Sequence, residues 1–342
     1  MSGTVSHVDI LVRPYQAQDE DEVLRLLRAS LGGGPAGNRS AEFFRWKHVE
    51  NPFGPSFMLV AETDERIVGL RAFMRWRFLA GERELRAVRA VDTATHPDFQ
   101  GRGIFRRLTL DALDQLRDET DLIFNTPNDK SLPGYQKMGW ESVGDLPIRV
   151  RVARPVRFAR GMRSWRSLET AAAGETLTHA RTAEQALDEP GIPGLLAEAE
   201  RRDAIATVRG LAYLRWRYAR APLLDYRGVT ARDGMSVRGL GLFRVRPRGA
   251  LTEATVSEVL VRRGDVGGAR AVLQAIRRSA GVDHLTCSFP QGSTALRAAR
   301  VAGYLRAPGG VRLVTNALGH RLQPDPRRLP SWALSVGDVE VF

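Results

Sequence analysis

The chain has 342 residues, enough for two domains of ordinary size. Hydrophobic residues make up 43% and charged residues 26%, the balance of a soluble globular protein, and no apolar run approaches the roughly 18 residues of a membrane span. A single cysteine, Cys287, rules out an internal disulfide. Without a recognisable signal peptide at its start, the sequence favours a cytoplasmic protein.

The net charge of +12 raises the question of nucleic-acid binding. Lysine occurs only at Lys47, Lys130 and Lys137, so 48 of the 51 basic residues are arginines. These arginines are spread along the chain, which is more typical of a GC-rich genome than of a nucleic-acid surface. Nucleic-acid binding is therefore the third-ranked hypothesis, and small phosphorylated ligands fit the charge equally well.

Hydrophobic periodicity predicts one α/β unit in the first half of the chain, with three consecutive antiparallel strands at its centre. The predicted strands lie at 8–13, 57–62, 66–77, 84–95, 120–125 and 140–149, and the predicted helices at 19–31, 40–49, 103–117 and 130–138. Acidic residues in its first turn support the helix at 19–31. Ser40 is the expected N-cap of the next helix.

An internal repeat follows at an offset of 170 residues. FFRWKHVENP at 43–52 reappears as YLRWRYARAP at 213–222, and the match continues without a gap to Phe73 and Phe243. Chance similarity between two αβ segments is the alternative, but the ungapped match favours duplication. The sequence predicts four segments: a catalytic unit at 1–150, a linker at 151–176, a degenerate copy of the catalytic unit at 177–315 and a tail at 316–342.

A glycine turn lies between the predicted strand that ends at Thr95 and the following helix, in the stretch HPDFQGRGIFRRL. Glycine lets a backbone turn tightly and approach a ligand closely. The first amides of a helix have no internal partner and favour an anion. Arg102 and the arginines after it add positive charge, so the turn is a candidate phosphate cradle. A plain strand-to-helix connection with solvated arginines is the competing interpretation.

The residues Gln100-Gly101-Arg102-Gly103 resemble the acetyl-CoA loop of the GCN5-related N-acetyltransferase (GNAT) superfamily, whose pattern is Q/R-x-x-G-x-G/A. Ile104 falls within the pattern, and Phe105 departs from it where a small residue is usual. A bulky residue there, and two units per chain, are similar to the tandem-domain enhanced-intracellular-survival type of acetyltransferase.

A second motif supports the resemblance. Asn128 is followed seven residues later by Tyr135 and then by Gly139-Trp140, similar to the last segment of a GNAT domain. In that superfamily the tyrosine is the usual general acid for the departing CoA thiolate, and the asparagine commonly lies near the cofactor. Both motifs occur in the family's order, with a predicted helix and strand between them.

The resemblance implies a tandem GNAT acyl-CoA acyltransferase fold of the α/β (α+β) class, with a mixed, mostly antiparallel sheet flanked by helices in each unit. It also implies acetyl-CoA as co-substrate. The implied cofactor-binding residues are Thr93, Ala94, Thr95, Gln100, Gly101, Arg102, Gly103, Ile104, Phe105 and Asn128. Tyr135 is the implied general acid, and Asp92 and His96 are the candidate bases for the attacking amine. His96 precedes a proline and is the weaker candidate.

The second unit is expected to be inactive. Aligning its GY with the GW of the first unit places Ala299 at the position of Tyr135 and Gly292 at that of Asn128. Asp265 falls near the phosphate loop, where like charge repels a phosphate. We expect this unit to wall off the acceptor pocket.

In the survival-protein group the chain's own terminal carboxylate reaches the active site, and this chain ends in the apolar segment WALSVGDVEVF. The resemblance therefore makes Phe342 a candidate catalytic residue, against the simpler alternative of a tail that only covers the second unit. No histidine or cysteine spacing suggests a metal, so none is expected.

The leading hypothesis is transfer of an acetyl group to a primary amine of a small molecule: an amino sugar, a metabolite or a peptide amine. Alternatives are a longer acyl group and a catalytically silent acyl-CoA-binding or regulatory module. No membrane partner is expected, and a homo-oligomer is possible.

Overall fold

The computed structural model describes residues 9–31, 40–64, 66–161 and 179–339. Strands of the first half are β1 Leu11–Pro14, β2 Phe57–Thr63, β3 Arg66–Ala80, β4 Arg83–Thr95, β5 Leu122–Asn125 and β6 Glu141–Val152. Its helices are α1 Glu20–Leu31, α2 Ala41–His48, α3 Ile104–Leu116, α4 Leu132–Lys137 and α5 Pro155–Gly161. Every strand and helix predicted before residue 150 is present, with ends shifted by a few residues.

The second half repeats this succession of elements. Its strands are β7 Arg181–Thr182, β8 Ile205–Thr207, β9 Tyr226–Asp233, β10 Ser236–Arg248, β11 Leu251–Val261, β12 His284–Cys287 and β13 Leu305–Asn316. Its helices are α6 Ala183–Leu187, α7 Ile192–Glu198, α8 Leu211–Leu214, α9 Val266–Ala280, α10 Thr294–Val301 and α11 Val336–Val339, with one π-helical turn at Arg215–Ala219. The order β9-β10-β11-α9-β12-α10-β13 matches β2-β3-β4-α3-β5-α4-β6.

Local sequence explains why the two helices that precede β2 begin where they do. Three acidic residues occupy the first turn of α1, where the helix dipole favours negative charge. The Ser40 side chain accepts a hydrogen bond from the backbone N–H of Phe43 at the start of α2, which confirms the predicted N-cap. The amphipathic α1 packs its apolar side against β3 and β4.

The described strands join into one sheet, and its order differs from the one the sequence suggested. The order is β1-β2-β3-β4-β5-β13-β6-β12-β11-β10-β9-β7, with β8 paired to β3. We expected β6 to complete the first unit, but β13 pairs with β5, and β6 pairs with β12. The two halves have therefore exchanged their last strands. Periodicity identifies a strand but not its distant partner, which explains the error.

A pair of tryptophans joins the halves on one face of the sheet. The Trp46 and Trp216 rings stack with their centroids 5.1 Å apart. Each indole N–H donates a hydrogen bond to the other residue's backbone carbonyl, at 2.7 and 2.8 Å. The repeated RW dipeptide is thus an interface contact with twofold character.

The segment predicted as a linker is partly structured. Strand β6 continues to Val152 and α5 follows, while residues 162–176 lie outside the described residues. Within the parts of the chain that the structure describes, no helix is long and apolar enough to cross a membrane.

Candidate functional site

The glycine turn leads directly into α3 and leaves its first amides open. Gly101 and Gly103 both have a φ of +76°, in the left-handed region that favours glycine. No heavy atom lies within 4 Å of a Cβ built at either position. Gly103 is the N-cap, and no side chain caps the helix. The turn therefore presents backbone amides, and Gln100 and Arg102 at its rim are exposed.

Beside this turn the sheet opens between β4 and β5. The two strands pair in parallel only from Ala87 to Arg89, opposite Leu122 to Phe124. Beyond that point, residues 90–95 of β4 are paired with β3 alone among the described strands. A β-bulge at Asp92 interrupts the ladder with β3, and this residue has a φ of +33°. The side of Thr93–Thr95 that faces away from β3 is thus not covered by another described strand, and the Thr95 carbonyl accepts a hydrogen bond from Ser30 Oγ.

The side chain of Tyr135 lies close to this edge. The ring is 5% exposed and packs against Phe105 and Trp140 at centroid distances of 5.8 and 5.1 Å. The Asn128 side-chain oxygen accepts hydrogen bonds from the backbone N–H groups of Lys130 and Ser131. These hydrogen bonds order the turn that precedes α4, and Asn128 thereby helps to position Tyr135 on that helix.

An arginine that the sequence analysis missed lies next to this tyrosine. The Nη1 of Arg71 donates a hydrogen bond to the Tyr135 hydroxyl at 3.1 Å and another to Thr93 Oγ1. Arg71 is 0% exposed. A lone arginine within the apolar segment IVGLRAF of a strand matches no motif. Its only signal is a charge at a position where the neighbours on both sides are apolar.

The candidate base Asp92 is held in a buried charge cluster. Its side chain is 6% exposed, and its Oδ2 lies 2.8 Å from Lys47 Nζ and 2.9 Å from His48 Nε2. His48 Nδ1 lies 2.9 Å from Ser56 Oγ. The sequence analysis predicted α2 only as a helix and did not foresee this cluster, because the bulge that turns Asp92 towards α2 is not readable from the sequence.

His96, the weaker candidate base, is placed as a turn residue. Its Nδ1 accepts a hydrogen bond from the backbone N–H of Asp98, and its Nε2 lies 2.6 Å from Arg66 Nη2. It thus caps the short 3-10 turn at Pro97–Phe99, ahead of the glycine turn.

The segment after β13 returns to the first half. Arg89 of β4 donates hydrogen bonds to the backbone carbonyls of Asp338 and Val339, at 2.6 and 2.5 Å. Burial and the neighbouring Arg217 lower the pKa of the Arg89 guanidinium to about 10. The Asp338 carboxylate lies 2.5 Å from Arg209 Nη2. The tail therefore docks on β4, while Phe342 lies outside the described residues.

The corresponding turn of the second half is closed by its own side chains. Asp265 caps α9 and accepts a hydrogen bond from the backbone N–H of Gly268 at 2.8 Å. Its carboxylate also binds Arg238 Nε and Nη2, each at 2.6 Å. These hydrogen bonds hold the pKa of Asp265 below its usual range, the one from Arg238 contributing most. Ala299 lies buried in α10, so no hydroxyl occupies that position.

A cavity of about 520 Å³ lies mainly in the second half, with Leu79 and Gly81 of the first half also in its lining. Residues Glu258 to Val261 of β11 and Phe289 after β12 contribute to its lining, together with Arg209. Burial raises the pKa of the Glu258 carboxyl, against the opposing effect of Arg209. A cleft thus persists where β11 and β12 diverge, but the turn before α9 is capped by Asp265. Among the described residues, no group of three or more His, Cys, Asp or Glu side chains is arranged to hold a metal.

Comparison with known proteins relates the first half of the chain to one family. Residues 11–143 match the profile of the family described as Acetyltransferase (GNAT) domain. No match was found among curated protein sequences.

Several solved structures share the fold over most of this chain. A GCN5-related N-acetyltransferase from Kribbella flavida has a TM-score of 0.58 at 16% identity, covering 92% of this chain and 72% of that one. A probable N-acyltransferase from Enterococcus faecalis V583 has a TM-score of 0.62 at 13% identity, covering 90% and 72%. Eis1 from Mycobacterium abscessus has a TM-score of 0.53 at 16% identity, covering 91% and 74%. The fold class predicted from the sequence is confirmed.

Proposed function

We propose that this chain is an acyltransferase of the GNAT superfamily, whose domain model matches residues 11–143, and that it transfers an acetyl group from acetyl-CoA to a primary amine of a small molecule. One observation carries the proposal. The uncapped turn before α3, the β4 edge at residues 93–95 and the Tyr135 hydroxyl lie side by side in the first half, and the second half has no such combination. We propose cytoplasmic action, in keeping with the single thiol.

In this proposal the backbone amides of residues 101–105 bind the pyrophosphate, with Arg102 adding charge at the rim. The edge of β4 at Thr93–Thr95 pairs with the pantetheine amides. A backbone N–H of the same edge polarises the thioester carbonyl and holds the tetrahedral oxyanion. Three features support these assignments: the positive φ angles of the glycines, the space above them and the divergence of β4 from β5.

The chemical step is a direct attack by the amine on the thioester. The nitrogen forms a bond to the carbonyl carbon, the C–S bond breaks, and Tyr135 donates a proton to the leaving sulfur. We keep Asp92 as the candidate base. Its neighbour His48 contacts Asp92 through Nε2 and Ser56 through Nδ1, and so links the two residues. The ion pair with Lys47 favours the carboxylate form of Asp92, which makes Asp92 a weaker base. Proton transfer from the amine through His48 is therefore more effective than direct transfer to Asp92.

We also keep the terminal carboxylate of Phe342 as a candidate participant. The contact of Arg89 with the Val339 carbonyl supports this, because it holds the segment that leads to Phe342 against β4 of the first half. Deletion of residues 340–342 should leave the Arg89 contacts and the melting temperature intact and abolish turnover. Undiminished turnover would remove Phe342 from the mechanism.

The acceptor class follows from charge. The chain carries a net charge of +12, which disfavours polycationic acceptors and suits an amine that also bears an anionic group. A longer acyl group in place of acetyl is the alternative within the same chemistry.

A silent acyl-CoA-binding module is the second candidate function. The 520 Å³ cavity of the second half favours it, because a cleft persists there beside a chain segment corresponding to the β4 edge. Thiol release separates the two functions: a transferase releases CoA when an amine from a panel of amino sugars, amino acids and peptides is added, and a silent module does not.

A thiol reagent is suitable for this assay. The chain's only thiol, Cys287, is 0% exposed, and burial raises its pKa, so its background reaction is slow. Amine-dependent release of CoA from acetyl-CoA would support the proposal. Binding of acetyl-CoA without release for any amine of the panel would favour the silent module.

A further inference from the structure

Arg71 is a buried charge whose hydrogen bonds are only partly satisfied. Its Nε and Nη2 atoms are buried and have no hydrogen-bond partner in the described part of the chain, where the guanidinium also forms no salt bridge. Burying a cation without an anion is costly, so such a group is expected to have an anionic partner in one state of the protein.

The direction of its hydrogen bonds is fixed by chemistry. A guanidinium has five donors, no acceptor, and stays protonated in proteins. The Tyr135 oxygen therefore accepts from Arg71, and the phenolic proton cannot point back at this neighbour. Since Thr93 Oγ1 also accepts from Arg71, the guanidinium links the cleft edge of β4 to the general acid.

Three aromatic rings enclose this guanidinium. Its carbon lies 4.4 Å from the ring centroid of Phe73, 5.7 Å from that of Phe105 and 5.3 Å from that of Tyr135. The rings stabilise the cation through their faces and exclude water, which strengthens its electrostatic effect. Phe105, the residue that departs from the family pattern, is part of this enclosure.

The corresponding position in the second half, which we expect to be inactive, carries no charged side chain. Residue 241, 170 positions after Arg71, is a glycine. A Cβ there would lie 2.5 Å from Val272 and 2.9 Å from Ile276, so side chains of α9 fill the space. Apolar packing is sufficient for the fold at this place in the sheet, so a cation in the first half calls for another explanation.

We propose that Arg71 and Tyr135 together form an anion subsite that receives the CoA sulfur as it leaves. As the C–S bond breaks, its electron pair passes to sulfur. Arg71 stabilises the resulting thiolate, and the proton of Tyr135 then passes to it. The nitrogen loses one of its amine protons as it becomes an amide, and this proton passes to the Tyr135 oxygen. The inference rests on the proposed function, because it needs CoA in this cleft.

Binding of the product tests the subsite without any acceptor. Wild-type protein is titrated with CoA, with desulfo-CoA, which lacks the thiol, and with acetyl-CoA, in two buffers of different ionisation enthalpy. CoA binding should release a proton and tighten about tenfold from pH 7 to pH 9 relative to desulfo-CoA, since a pKa shift of one unit is a tenfold effect. Desulfo-CoA and acetyl-CoA should release none.

Variants at Arg71 sharpen the result. Arg71→Met should keep acetyl-CoA affinity within about threefold and lose most of the proton release, and Arg71→Lys should retain part of it. CoA binding with equal proton release in wild type and Arg71→Met would overturn the inference. So would CoA binding without any release in wild type, a result that needs no variant to fold. If neither CoA nor acetyl-CoA binds the wild type, the proposed function fails first.

Discussion

The turns before α3 and α9 stand at the same step of the two halves, between a strand and a long amphipathic helix. The first has two glycines with positive φ and no capping side chain. The second is capped by Asp265, whose carboxylate also binds Arg238. If the first turn binds a phosphate, as we propose, the difference indicates how the second turn would lose that ability, because the Asp265 carboxylate satisfies the helix's own amides in place of a ligand.

The clefts where β4 leaves β5 and where β11 leaves β12 also differ in the polar groups that line them. In the first half Tyr135 and Arg71 lie together beside the β4 edge, whereas Ala299 and Gly241 stand at the corresponding positions of the second. The second half keeps a cavity and the strand divergence but no hydroxyl or cation in that arrangement. We therefore propose that one half binds and reacts while the other supports it.

The largest effect on acetyl-CoA binding is expected when one glycine in each turn is substituted and the two variants are compared. Gly103→Glu should weaken acetyl-CoA binding by at least about 100-fold, because it places bulk and negative charge in the cradle. Gly264→Glu is the matched control: its φ of +84° and its open surroundings resemble those of Gly103, so the backbone strain of about 1 kcal/mol is similar. Calorimetry on both variants checks this. Equal losses of binding, or none, would contradict the assignment.

Removing one hydroxyl from each half gives the next effect. Tyr135→Phe should lower kcat by about 10²-fold or more through loss of the general acid, with little change in acetyl-CoA affinity. Tyr304→Phe is the control, since its hydroxyl is buried without a hydrogen-bond partner among the described residues. Steady-state kinetics with any accepted amine compare the two. A Tyr135→Phe enzyme with wild-type kcat would exclude the acid role.

The tryptophan pair predicts equal effects from the two halves. Trp46→Phe and Trp216→Phe should each lower the free energy of unfolding by about 2 kcal/mol, because each leaves a buried carbonyl without its donor. Denaturant unfolding of both variants and of the double variant measures the coupling between them. A loss confined to one variant would argue against a symmetric contact.

The smallest effect concerns the cap of α9. Asp265→Ala should cost about 1 kcal/mol of stability and leave acetyl-CoA binding unchanged. The lowered pKa of Asp265 means that its contribution is complete above the pKa of an unfolded aspartate, about 4, and is lost as the pH falls through its folded value. The melting temperatures of wild type and variant should therefore converge as the pH is lowered from 7 through the folded pKa of Asp265. The exposed Asp114→Ala serves as control, with an expected change within about 0.5 kcal/mol.

Much of the first half could be predicted because its signals are local. The N-cap at Ser40, the glycine turn and the strand alternation each depend on a few neighbouring residues. The placement of β13 between β5 and β6 depends on pairing across more than 150 residues, which periodicity does not encode.

The candidate site was only partly readable for the same reason. Tyr135 belongs to a motif, but Arg71 and His48 become functional candidates only through neighbours distant in sequence. Charged residues are mostly exposed, so a buried arginine in a strand runs against the general expectation. The bulge at Asp92, which brings its carboxylate to Lys47, depends on how β4 meets β3.

The most direct test of the central claim is the stoichiometry of acetyl-CoA binding to the wild-type chain, measured by calorimetry. One molecule bound per chain, displaced by CoA, is the result we predict, because the turn before α3 is open and the turn before α9 is capped by Asp265. Two bound molecules would mean that the second half also binds the co-substrate, and no binding would mean that the first half does not; either result would contradict the division of roles between the halves.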